Sequence, residues 1–197
     1  MITKNKKGSA LFVVLAIVGI IFIIATFLAG TYNSLVDLDV NVENHWSKVQ
    51  SAYERRLDLI PNLVATVKGS ADFEKNTQTQ IALLRSGVKE AKSVNDMQKV
   101  DGQMSALMSG INIQLEAYPE LKSTTNFLAL QDELAGTENR IKWERDNYND
   151  EVRNYKLKVR SFPTNMIAGM FGFEESKWDT FEAKEEAEDA PEVDFTD

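Results

Sequence analysis

The sequence predicts an all-α protein: an N-terminal transmembrane helix that continues into an elongated antiparallel four-helix bundle. Three observations lead there. Residues 9–30, SALFVVLAIVGIIFIIATFLAG, form an apolar run without a single charge. Beyond it, apolar residues recur at alternating three and four spacing, the period of one helix face. The stretch 32–162 is dominated by Gln, Glu, Lys, Leu, Asn and Ala and lacks β-type alternation, and the whole chain of 197 residues holds only four prolines and ten glycines.

The apolar run is long enough to span a bilayer, since ~20 helical residues cover the ~30 Å of its hydrocarbon core. Its flanks set a direction. Lys4, Lys6 and Lys7 precede it, while Asp37, Asp39 and Glu43 follow, with no Lys or Arg before Lys48. Basic residues beside a span stay cytoplasmic and acidic ones count for little. Residues 1–8 are therefore expected as a short basic cytoplasmic segment, 9–30 as the span, and the rest on the extracytoplasmic side. A cleaved signal peptide would have a shorter apolar core and an A-x-A-like site, which 26–31 does not offer. A lipoprotein needs a cysteine, and the chain has none. A prepilin leader cut at Gly8 would want a Glu where Val13 stands.

Residues 31–162 are expected as the bundle domain. Leu35, Leu38, Val42, Trp46, Val49, Tyr53 and Leu57 share one face of the first helix, a face suited to packing against other helices. Pro61 has no amide proton and disfavours helix at Ile60. A tight turn is placed at 57–61, with a kinked continuation as the alternative. The second helix is expected over about 62–93, with Leu63, Val67, Ile81, Leu84, Val88 and Ala91 inward and a loosely patterned middle at 69–79. Asn95 and Asp96 are expected to cap the third helix, whose stripe is Met97, Val100, Met104, Leu107, Ile111, Leu115 and Tyr118. Pro119 ends it. The fourth helix is expected over about 123–161, with Phe127, Leu128, Leu134, Ile141, Tyr148, Val152, Tyr155, Val159 and Phe162 inward. Glu138 and Arg145 fall in the same register, where a charge is costly unless paired. A partly buried polar layer of Arg55, Arg56, Glu138 and Arg145 is expected.

Alternating helix directions would return residues 163–173, PTNMIAGMFGF, to the bilayer. Met166, Ile167, Met170, Phe171 and Phe173 make this an apolar membrane-proximal segment, too short to span. It reads equally as interfacial or as packed on the base of the bundle. Residues 174–197 carry eleven acidic residues against Lys177 and Lys184, a net of −9 that exceeds the −8 of the whole chain. That segment is expected as a disordered acidic tail, with Trp178 and Phe181 able to form a short helix. The remainder has no basic stripe to neutralise phosphates, so nucleic acid is not an expected partner.

Three blocks carry a family resemblance: YNSLVDLDVNVENHW at 32–46 followed by RRLDLIPNLVATVKG at 55–69; YPELKSTTNFLALQDELAGTENRIKWERDNYNDEVRNYK at 118–156; and SFPTNMIAGMFGF at 161–173. In order and spacing, residues 30–173 resemble the LemA family of bacterial membrane proteins. Asp39 departs from the family, in which basic residues are common there, as do Ser70, Ala71 and Asp72, where more aromatic or basic residues are usual. The resemblance implies a single N-terminal span and a long helical bundle; the span is expected in the bacterial inner membrane and the helices are expected to pack as in a coiled coil. It implies no settled activity. Genes of the family often neighbour a membrane metallopeptidase, which points to a membrane or envelope protein of that kind as a partner.

Catalytic constellations do not assemble from this composition. Without cysteine there is no thiol chemistry and no thiolate metal site. His45 is the only histidine. It sits beside Trp46 on a membrane-proximal helix, far from any nucleophile elbow. No Glu-x-x-His pair supports a di-iron site, and no phosphate loop or dinucleotide fingerprint occurs. An enzyme is not expected, nor is a cofactor. The expected function is a non-enzymatic scaffold of the cell envelope, acting on the lipid bilayer and a membrane protein. An extracytoplasmic ligand-sensing bundle working through a membrane partner is the alternative. Self-association through the span is weakly signalled, since Gly19 has no glycine four residues away.

Overall fold

The computed structural model describes residues 6–66, 71–116 and 124–182, with side chains at 11–65, 75–116 and 124–182. Among the described residues the regular structure is helical throughout. It comprises α1 (Lys6–Thr66), α2 (Ala71–Glu90), α3 (Val94–Glu116), α4 (Thr125–Arg160), α5 (Thr164–Phe171) and a 3-10 turn at Glu175–Lys177. The chain folds into two compact units.

The first unit holds Met1–Glu43 with Arg153–Lys177. Its part of α1 contains the apolar run, long and apolar enough to cross a membrane. Leu11, Phe12, Ile20, Phe22 and Phe27 are all exposed there. The hydroxyl of Thr26 donates to the carbonyls of Phe22 and Ile23, at 3.0 and 2.9 Å, so this polar group is satisfied within the helix. Leu35, Val42, Tyr155, Val159, Ile167 and Ala168 form the unit's core. Gly172, with φ of 77°, ends α5 in the left-handed conformation that glycine adopts without a Cβ penalty. The Phe173 amide closes the turn on Ala168 O at 3.0 Å.

The second unit holds Asn44–Val152 with Trp178–Asp197. Here α1 and α2 are antiparallel. Trp46 Nε1 donates to Ala91 O at 3.3 Å, Gln50 Nε2 to Val88 O at 2.9 Å, and Arg85 to Asp58 at 2.8 Å. Trp46 and Gln50 thereby satisfy carbonyls that the end of α2 leaves without helical partners. At Gly87 a Cβ would lie 3.0 Å from Val100 Cγ2, so glycine lets α2 approach α3 closely. The pairs Trp46–Tyr148 and Arg56–Glu138 show α4 antiparallel to α1.

Three expectations are corrected. The helix does not turn at 57–61: α1 runs through Pro61 to Thr66. Pro61 leaves Leu57 O without its amide donor, which costs about 3 kcal/mol in a helix interior. Leu57, Leu59, Ile60, Leu63 and Val64 are all buried around it. At about 1.5–3 kcal/mol for each buried side chain, packing outweighs the lost bond. The cap of α3 is Ser93 rather than Asn95 or Asp96. Its hydroxyl accepts from the Asp96 amide at 3.2 Å and donates to the Asp96 carboxylate at 2.7 Å, a reciprocal capping box. The tail is ordered at its start: residues 174–182 are placed, and Phe181 is buried. Val67, residues 69–70, Tyr118, Pro119, Ser123 and 183–197 lie outside the described residues.

Candidate functional site

A charged cluster in the second unit centres on Arg145. Its guanidinium reaches Asp101 at 3.2 Å and donates to the Tyr53 hydroxyl, which itself donates to Asp101 at 3.1 Å. The guanidinium also lies 4.9 Å from the Phe181 ring centroid. Burial pulls the Arg145 pKa down from its ordinary value, yet a guanidinium stays charged at any physiological pH. The layer joins α1, α3 and α4 in one register. Glu138, expected here, is 70% exposed and meets the sheltered Arg56 at 3.4 Å, so their bridge is worth little. Arg55 is exposed and borders a different feature.

That feature is a cleft of about 500 Å³ between α1 and α4. Antiparallel register sets Lys48 opposite Glu144 and Arg55 opposite Thr137. Glu144 is 2% exposed, the one carboxylate among the described core residues. Its Oε1 accepts from Arg140 at 2.6 Å, and its Oε2 has no hydrogen-bond partner. Arg140 in turn stacks over Trp143, 4.5 Å from the ring centroid. Sequence reasoning missed Glu144. The signal was present: 134, 137, 141, 144 and 148 follow three-four spacing, which puts Thr137 and Glu144 on the seam and Glu138 beside it.

The first unit carries the apolar segment. Tyr32, two residues beyond the apolar run, packs edge-on against Phe171 with centroids 5.0 Å apart and against Phe173 at 5.8 Å. Met166, Met170 and Phe171 are exposed, as is Phe162. Met166 and Met170, four residues apart, line one side of α5, and Phe162 lies just before the helix. Ile167 faces inward at 4% exposure, so it leaves the expected interfacial set, and Phe173 is half-buried. Nearby, Lys177 donates to Asp39 at 2.6 Å, and Tyr155 donates to Glu174 O at 3.2 Å.

Fold and site define a helical-bundle protein with one N-terminal helix apolar enough to cross a membrane. The model of the LemA family matches residues 45–195, and the chain belongs to that family. The match begins later than the resemblance read from residues 30–173 and runs on through the acidic segment. Protein LemA of Metamycoplasma hominis is 28% identical over 71% of this chain, which spans 64% of that protein's length. Two magnetosome proteins of Paramagnetospirillum magneticum, MamQ 1 and MamQ 2, are each 22% identical over 84% of this chain and 70% of their own.

Proposed function

We propose that this protein is a single-pass, non-enzymatic scaffold of the bacterial inner membrane, with its N-terminus inside and its bundle outside. The observation that carries the reading is the Tyr32–Phe171 contact. It fastens α5 at the end of the apolar run, where amphipathic aromatic residues favour the bilayer interface. The exposed Met166, Met170 and Phe171 then lie at headgroup depth, and the same apolar face is available to a membrane-embedded partner such as a metallopeptidase. The flanking charges, Lys4, Lys6 and Lys7 against Asp37, Asp39 and Glu43, support the orientation.

Two measurements test this. The chain lacks cysteine, so a single cysteine at the exposed Ser176 reports topology cleanly. A membrane-impermeant maleimide should label it in intact cells whose outer membrane, if present, has been permeabilised. Labelling only after lysis would reverse the orientation. Met170→Trp in nanodiscs should be quenched by lipids brominated near the headgroup. An unquenched tryptophan would remove the interfacial role.

The cleft beside Glu144 favours the second reading, a ligand-sensing bundle that acts through a membrane partner.

A further inference from the structure

We infer that the cleft between α1 and α4 is a binding site for a small carboxylate that carries neutral N–H or O–H donors beside its acid group. This goes beyond the scaffold reading and does not rest on it. Glu144 sets the first requirement. A carboxylate 2% exposed with an unpartnered oxygen is expensive, because a buried acceptor is normally paired. Arg140 satisfies Oε1 alone. Glu144 lines the cleft, so a ligand there that brings a donor to Oε2 completes its hydrogen bonding.

The cations set the second requirement. Lys48 and Arg55 lie on the cleft, two turns apart on α1, which is about 10 Å along the axis. Among the described residues neither has a carboxylate partner, although Lys48 Nζ lies 3.4 Å from His45 Nε2. An anionic group is attracted to both. The donor for Glu144 should be neutral rather than cationic, since Lys48 stands opposite and Arg140 is already paired there. Thr137 adds a polar wall and Leu59 an apolar one. A volume of about 500 Å³ falls in the range of small-molecule sites. Two sources share this chemistry: the C-terminal end of a short peptide, whose amide precedes its carboxylate, and a sugar acid, whose hydroxyls flank it.

Calorimetric titration of the full chain in nanodiscs tests the site. The probes are N-acetyl-diglycine, glucuronate, acetate and the uncharged N-acetylglycinamide. N-acetyl-diglycine, glucuronate or both should bind, and whichever binds identifies the source. Acetate should bind at least about tenfold more weakly, because it brings no donor to Glu144. Arg55→Gln, at an exposed position that leaves the fold intact, should weaken binding about tenfold. Raised salt should weaken it further. No binding of either donor-bearing acid would show that solvent alone satisfies Glu144 and would overturn the site. So would acetate or the uncharged amide binding equally well, or affinity unchanged in Arg55→Gln.

Discussion

The ring of Phe181 stacks on the indole of Trp46, with centroids 6.0 Å apart and planes 15° from parallel. Asn149 clamps the backbone on either side: its Oδ1 accepts from the Phe181 amide at 2.8 Å and its Nδ2 donates to the Phe181 carbonyl at 2.9 Å. Tyr148 meets the same ring edge-on at 5.6 Å. A residue from the acidic segment thus completes the core of the second unit. Phe181→Ala should cost about 3 kcal/mol, the usual loss for a buried phenylalanine. In a background of Trp143→Phe and Trp178→Phe, Trp46 emission should shift to the red. Unchanged urea stability would mean that the segment is detachable.

The charge layer and the exposed bridge should respond very differently. Asp101→Ala leaves Arg145 without its carboxylate at a site only 21% exposed, and should cost about 3 kcal/mol or more. Glu138→Gln removes a bridge whose acidic partner is 70% exposed, and should cost under about 1 kcal/mol. Chemical denaturation of both variants checks the ranking. Equal losses would show that the sheltered Arg145–Asp101 pair holds the fold no more firmly than the exposed Arg56–Glu138 bridge.

These two cases show where the amino-acid order was informative. Apolar three-four spacing named most core residues between Leu35 and Val159, because burial of a helix face leaves a periodic trace, but not Leu59, Ile60 and Val64 beside Pro61. Leu128 and Phe162 broke the pattern at 50% and 81% exposed. The helix break near Pro61 was misplaced because local propensity is weaker than the packing of five neighbours. Glu144 was invisible to a search for apolar residues alone. Its partner Arg140 is one turn away on the same helix, so the spacing held the answer once charges were admitted to the stripe. The place of Phe181 could not be read, since composition outvoted a single aromatic among acids.

Acid should weaken the start of α3. The Ser93 hydroxyl, first, and nearby Lys99 hold the Asp96 carboxyl below its ordinary value of 3.8. A carboxylate with a depressed pKa stabilises the folded state fully above its unfolded value, and the contribution fades as pH falls below 3.8 through the folded one. Ser93→Ala should cost about 1 kcal/mol of cap at neutral pH. The gap between wild type and variant should narrow as pH drops below 3.8. A gap independent of pH would mean that the cap acts without the Asp96 charge.

Alkali should act on Tyr155. Burial, then the negative charges of Asp39 and Glu174, push its phenol from 10.0 up to about 12. An acid with a raised folded pKa contributes stability that is whole below the unfolded value and is lost as pH rises through the folded one. Between pH 10.0 and about 12 the first unit should therefore loosen as unfolding releases a proton. Tyr155→Phe should flatten that decline while costing about 1 kcal/mol at neutral pH through its lost bond to Glu174 O. Melting curves across this range, read beside tyrosinate absorbance, check it. An equally steep alkaline loss in the variant would assign the effect elsewhere, to Tyr148 first, whose phenol burial also raises.

Pro61 offers the last test, because its position was expected to end a helix and does not. Restoring an amide at 61 gives Leu57 O a donor and removes the ring from the preceding turn. Against this stands the freedom that alanine returns to the unfolded chain, worth about 0.4–1 kcal/mol. The helix term is the larger, about 3 kcal/mol, so Pro61→Ala should stabilise the protein by about 2 kcal/mol. The buried neighbours Ile60 and Leu63 hold the turn in register in either case. Urea titration of the second unit's tryptophan signal measures the change. A destabilised variant would show that the proline ring packs as part of the core.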